Sequence, residues 1–126
     1  MRKFALAAAL AVVCFALPAC QALNAISGAT VSPTAVVVAA NAFNAVKATA
    51  TNYIAYCTPN PAPTGCSDAA IQKLIPAVRS GTDARNSLEQ FQTDHPGELG
   101  DKGVYDALTT ATDSIKAIVA EYGAKS

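Results

Sequence analysis

GVYDALTTATDSIKAIVAEYG, residues 103–123, carries the clearest periodicity in the chain. Val104, Leu108, Ala111, Ile115, Ile118 and Tyr122 follow at steps of four, three, four, three and four. That spacing lays six apolar side chains along one stripe of an α-helix. Gly103 and Gly123 bracket the stretch, the second where helices commonly end.

Working upstream, the same rhythm recurs. Ser32-Pro33 has the form of an N-cap followed by proline at the first helical position, where a missing N–H is harmless. From there Val36, Ala40, Phe43, Val46, Ala50, Tyr53 and Cys57 form a second stripe. Asn41, Asn44, Lys47 and Thr51 take the polar side. Val36-Val37-Val38 favours strand, but nothing nearby offers a pairing partner, so it is read as a fully buried first turn. Ala35, Ala39, Ala42, Ala45, Ala48 and Ala55 are expected to let neighbouring helices approach closely.

Ser67-Asp68 is placed to cap another helix, ended by His95-Pro96-Gly97. Its apolar residues fall into two groups: Ile71, Leu74, Ile75 and Val78, then Ala84, Leu88 and Phe91. At 100° per residue the second group is rotated by roughly 120° from the first. Pro76 removes the donor to the Gln72 carbonyl, and Ser80-Gly81 follows. A kink or split near 76–82 is expected, with Thr82 able to cap a second piece. Three helices of about 25, 27 and 20 residues with short turns predict an all-α, three-helix antiparallel bundle over residues 32–126.

The N-terminus sets the compartment. Arg2 and Lys3 precede an uncharged apolar run, Phe4–Leu17, of fourteen residues. That is the order of an export signal, and it is short for a span of roughly 20 residues. Leu17-Pro18-Ala19-Cys20 resembles the lipobox of bacterial lipoproteins, with an aliphatic residue three before a cysteine and a small residue just before it. Pro18 departs from the family's small or β-branched residue at its place. The resemblance covers only about the first twenty residues. It implies a signal peptide at 1–19, a mature N-terminus at Cys20 carrying lipid, and a short tether through residue 31. Gln21 is not the aspartate that retains such proteins in the inner membrane of enteric bacteria, so the resemblance favours the outer membrane. The alternative is ordinary cleavage near Ala22 or Ala25, releasing a soluble periplasmic protein. Two or three acyl chains hold a membrane firmly where one does not, so no basic patch is required. From Cys20 onward nine acidic residues face seven basic ones, a formal balance of −2.

Export also decides the remaining sulfur chemistry. Cys14 leaves with the signal, and Cys57 and Cys66 stay in an oxidising compartment that converts paired thiols to disulfides. A zinc site wants closer cysteines and further ligands, and His95 is the single histidine. A reactive thiol wants a positive niche, but no Lys or Arg lies between Ala48 and Gln72. A Cys57–Cys66 disulfide at the turn between the first two helices is therefore expected.

Catalytic patterns are scarce. The chain has no H-E-x-x-H, no G-x-S-x-G, no phosphate-cradling glycine loop and no haem-attachment C-x-x-C-H. His95, flanked by Asp94 and close to Glu98 and Asp101, is the one candidate base, without a nearby nucleophile. It is read instead as a cation at a helix C-terminus. Asp94, Glu98, Asp101 and Asp106 offer oxygen ligands without EF-hand spacing, and a solvated turn accounts for them. No catalytic residue, cofactor or metal is expected, and the missing basic patch disfavours nucleic acid. The expected function is a non-enzymatic structural or interaction module of the envelope, held to the membrane by lipid at Cys20 and docking an envelope protein. Contact is expected through Tyr56 beside the Cys57–Cys66 loop, or through Arg79 and Arg85. A soluble periplasmic module binding a small apolar ligand and a phage-derived lysis or exclusion lipoprotein are the alternatives.

Overall fold

The computed structural model describes residues 29–123. The expected signal peptide at 1–19, the lipid acceptor Cys20 and the tether up to residue 28 lie outside the described residues. Within them the order is β1 (Thr30–Val31), α1 (Pro33–Tyr56), α2 (Asp68–Asp94), β2 (Gly100–Asp101) and α3 (Lys102–Gly123). The three helices pack against one another as an antiparallel all-α bundle. Gln92 Nε2 at the end of α2 donates to the Pro33 carbonyl at the start of α1, 3.3 Å away. Lys73 near the start of α2 meets Tyr122 and Glu121 at the end of α3.

Helix α1 begins where the capping chemistry places it. Ser32 is extended, and its hydroxyl accepts from the Ala35 amide at 3.3 Å. The helix ends at Cys57, whose amide donates to the Tyr53 carbonyl at 3.1 Å, and the proline-rich loop cannot continue it. Val36, Ala40, Phe43, Ala50 and Cys57 are buried, with Val46 and Tyr53 half-buried between them. The turn at 36–38 is helical but not fully buried, contrary to expectation. Val36 is in the core while Val37 and Val38 are 51% and 64% exposed, because adjacent helical residues point 100° apart. Most of the alanines expected at helix contacts also face outward. Ala39 is buried and Ala35 half-buried, but Ala42, Ala45, Ala48 and Ala55 are exposed.

Helix α2 is not split. It starts at Ser67, whose hydroxyl accepts from the Ala70 amide, and runs in one piece to Asp94 with Pro76 inside. The two apolar groups are joined by small residues. Ala70, Leu74, Ala77, Gly81, Ala84, Leu88 and Phe91 step by four and three without interruption, and each is buried or half-buried. Ile75, expected in the core, is 42% exposed. Gly81 is a contact point for α1: a Cβ there would stand 2.7 Å from Phe43 Cζ. Thr82 caps nothing, since its hydroxyl donates to the Val78 carbonyl one turn back at 2.7 Å. The helix ends at His95, and Gly97 reverses the chain at φ +82°, a conformation open to glycine.

The end of the bundle where α1 and α3 begin carries a feature absent from the sequence reading. Thr30–Val31 pairs antiparallel with Gly100–Asp101, Val31 opposite Gly100. Two residues of the expected tether thus belong to the fold. Gly100 is buried, its α-carbon facing Val31, Val36 and Leu88. Asp101 then caps α3, its Oδ1 accepting from the Val104 amide at 2.8 Å.

Phe43, Leu74, Leu108, Ile115 and Val36 are the largest fully buried side chains, each contributing about 1.5–3 kcal/mol by leaving water. At the far end Cys57 and Cys66 form the expected disulfide, their α-carbons 5.5 Å apart. Closing so short a loop contributes on the order of 2–3 kcal/mol, less where prolines already restrict the chain.

Candidate functional site

The stapled end is built around Tyr53. It lies on the core stripe of α1, as expected, and its hydroxyl does two further jobs. It donates to the Gly65 carbonyl at 3.2 Å and accepts from the Ser67 amide at 2.9 Å. One phenol therefore clamps both the disulfide loop and the start of α2. Tyr56 is 53% exposed, and its hydroxyl donates to the Thr64 carbonyl across the same loop at 3.4 Å. Arg79 and Arg85 stand apart from Tyr56, eleven and seventeen residues into α2, or about 16 and 25 Å along its axis. Arg79 is exposed. Arg85 is half-buried and makes a two-pronged contact with Glu89, 2.8 Å on each prong. The three expected contact residues do not form one patch.

The polar residues at the other end are engaged one by one. His95 is exposed and stacks on Phe91 with ring centroids 4.9 Å apart. Its Nδ1 lies 3.7 Å from Glu98 Oε1. Asp94, the flanking acid, accepts instead from the Gln90 amide at 2.9–3.0 Å. Asp106 pairs with Lys102 at 2.7 Å, and Asp101 caps α3. Among the described residues no three His, Cys, Asp or Glu side chains converge on one point. Nor is any described helix long and apolar enough to cross a membrane.

What the sequence reading missed is a cleft. Beside Tyr53, where all three helices end or begin, a cavity of about 290 Å³ opens between them. Thr49 and Tyr53 of α1 form one wall and Ala70 and Leu74 of α2 another. Ile118, Val119 and Tyr122 of α3 complete it. With Gly123 at the end of α3 also in the lining, three positions, Thr49, Ala70 and Gly123, carry small side chains or none, which leaves the space. The lining shows almost no polarity to the interior. Thr49 Oγ1 donates to the Ala45 carbonyl at 3.3 Å, and the Tyr53 hydroxyl is committed to the loop.

A cation stands at Tyr122. Lys73 Nζ donates to the Tyr122 hydroxyl at 3.3 Å, lies 5.4 Å from its ring centroid and is 3.9 Å from Glu121 Oε2. The Tyr122 hydrogen bond, and then the Glu121 charge, hold the Lys73 proton more tightly than usual. A shallower groove lies along the α1–α3 seam, sharing Thr49 and Val119 and reaching Lys116. The sequence signal for the cleft, small residues level with two tyrosines, becomes legible only once the helices are paired. No family model, curated protein or solved structure matches this chain.

Proposed function

We propose that the chain is an exported envelope protein held to the membrane by lipid on Cys20, its bundle serving as a non-enzymatic interaction module. The observation that supports export most directly is the Cys57–Cys66 disulfide, a bond that persists in oxidising compartments. It agrees with the Arg2-Lys3 start, the apolar run and the Leu17–Cys20 stretch. In this reading the ribbon end faces the bilayer. The stapled loop then stands about 35 Å farther out, the length of a 24-residue helix, where Tyr56 and the loop can meet a partner. Labelled palmitate should enter the wild-type chain in cells and not Cys20→Ala. Unlabelled wild-type chain in the soluble periplasm would overturn the anchor. Photo-crosslinkers at Tyr56 and Arg79 that capture no envelope protein would overturn the docking role.

The cleft favours a second reading, that the module holds a small apolar ligand between its helices. Its walls are apolar and its volume approaches the lower range of small-molecule sites.

A further inference from the structure

We propose that the cleft at the stapled end takes the tail of a straight-chain fatty-acid-type amphiphile, its carboxylate head resting at Lys73. This rests on the ligand-binding reading above and names the ligand class. Three features carry it.

The first is the missing polarity inside. Water in a cavity needs two to four polar partners, and here Thr49 Oγ1 and the Tyr53 hydroxyl are both spent on backbone groups. The cleft is partly open to solvent, and its volume of about 290 Å³ is about twice that of a ~150 Å³ apolar cavity that binds benzene. On that scale a chain of roughly eight to twelve carbons fits.

The second feature is shape. Thr49 and Val119, which line the cleft, also line a neighbouring groove of about 230 Å³ along the α1–α3 seam. A trough that extends along a helix pair suits a flexible linear chain better than a compact ring.

The third is charge. Lys73, more than half exposed and not itself part of the lining, reaches the hydroxyl and ring of the wall residue Tyr122, which puts a cation beside the cleft. The competing anion there is Glu121, at 3.9 Å with both side chains more than half exposed, which makes a weak pair. A ligand carboxylate at the mouth adds a second acceptor to an ammonium with three donors. An ordinary lysine, exposed as Lys73 is, carries its charge throughout the physiological range.

The test titrates the exported chain, disulfide intact, with sodium octanoate and separately with 1-octanol, by calorimetry and by NOEs from the ligand's terminal methyl. Octanoate should saturate one site, with NOEs to Leu74, Ile118 and Val119 methyls. Octanol should bind about threefold more weakly, the factor an exposed charge pair supplies. Lys73→Gln should bring octanoate down to the octanol level, and Val119→Phe should block both by filling the cleft. Should Val119→Phe fail to fold, the NOEs on the unaltered chain decide the site. No saturable binding of either probe overturns the ligand-binding reading and this proposal together. Equal affinities, unmoved by Lys73→Gln, overturn the ligand class and leave the apolar cleft standing. NOEs to residues elsewhere overturn the site.

Discussion

Gly81 lacks a side chain where α2 crosses α1, and the Phe43 ring fills the space a Cβ would take. Phe43 is fully buried and cannot swing into solvent to make room. Gly81→Ala therefore sets two effects against each other. Alanine favours the helix by about 1 kcal/mol over glycine, while overpacking a tight core costs about 1–3 kcal/mol. Because the contact falls well inside van der Waals distance, the steric cost should win and Gly81→Ala should lower stability in denaturant unfolding. Phe43→Leu in the same chain should recover part of the loss, since contacting residues do not add independently. Stability above wild type for Gly81→Ala alone would show that the helices slide apart freely. The same pair marks what was legible. Phe43 stands on an apolar stripe and announces itself, but a buried glycine adds nothing to an apolar pattern. Beside Pro76 and Ser80 it reads as a breaker until its neighbour is known. The cleft was hidden for a related reason: Thr49 and Ala70 leave space only opposite α3, and a single helix pattern has no opposite side.

Helix ends were the most legible part of the elements, because caps are local chemistry. Ser32 and Ser67 accept from the amides three residues on, and His95-Pro96-Gly97 stops α2. The β1–β2 ribbon was not legible: two residues a side carry no period, and their pairing spans about seventy residues of chain. Of the kink or split expected at Pro76, the split does not occur. The proline sits within α2 on an exposed face, so the helix passes through it, held on the core side by Leu74, Ala77 and Gly81. The local cost remains, since the Gln72 carbonyl loses its helical donor. Pro76→Ala should restore that bond and raise stability by about 1–3 kcal/mol, proline being about 3 kcal/mol worse than alanine inside helices. Part of the gain returns to the unfolded chain, which proline had restricted by about 0.4–1 kcal/mol. A rise in thermal midpoint checks it. A fall would mean that the bundle depends on the local backbone geometry Pro76 imposes.

At the scale of the whole molecule, the two ends are closed by different chemistry. The near end has the ribbon, with Gly100 on the core and Gln92 on the Pro33 carbonyl. None of those contacts depends on a titrating side chain. At the far end the staple joins α1 to α2, but the polar tie from α2 to α3 is Lys73 on Tyr122 and Glu121. The folded chain holds the Lys73 proton more tightly than the unfolded chain does, first through the Tyr122 hydrogen bond and then through Glu121. A raised value in the folded state stabilises fully below the ordinary lysine range and is lost as pH climbs through the raised value. Lys73 is exposed, so the effect is small and screened by salt. It is best sought where it acts, in amide hydrogen exchange at the end of α3 at low ionic strength. Exchange at Ile118–Tyr122, corrected for its intrinsic pH dependence, should lose protection as pH rises past the lysine range. Amides of α3 near the ribbon, such as Leu108, lie beside the Lys102–Asp106 pair, so they serve as the control in the comparison with Lys73→Met, which should not change their response. Lys73→Met should remove the alkaline step at the far end. If that step persists unchanged in Lys73→Met, or both ends change alike, the tie plays no part in closing the bundle over the cleft.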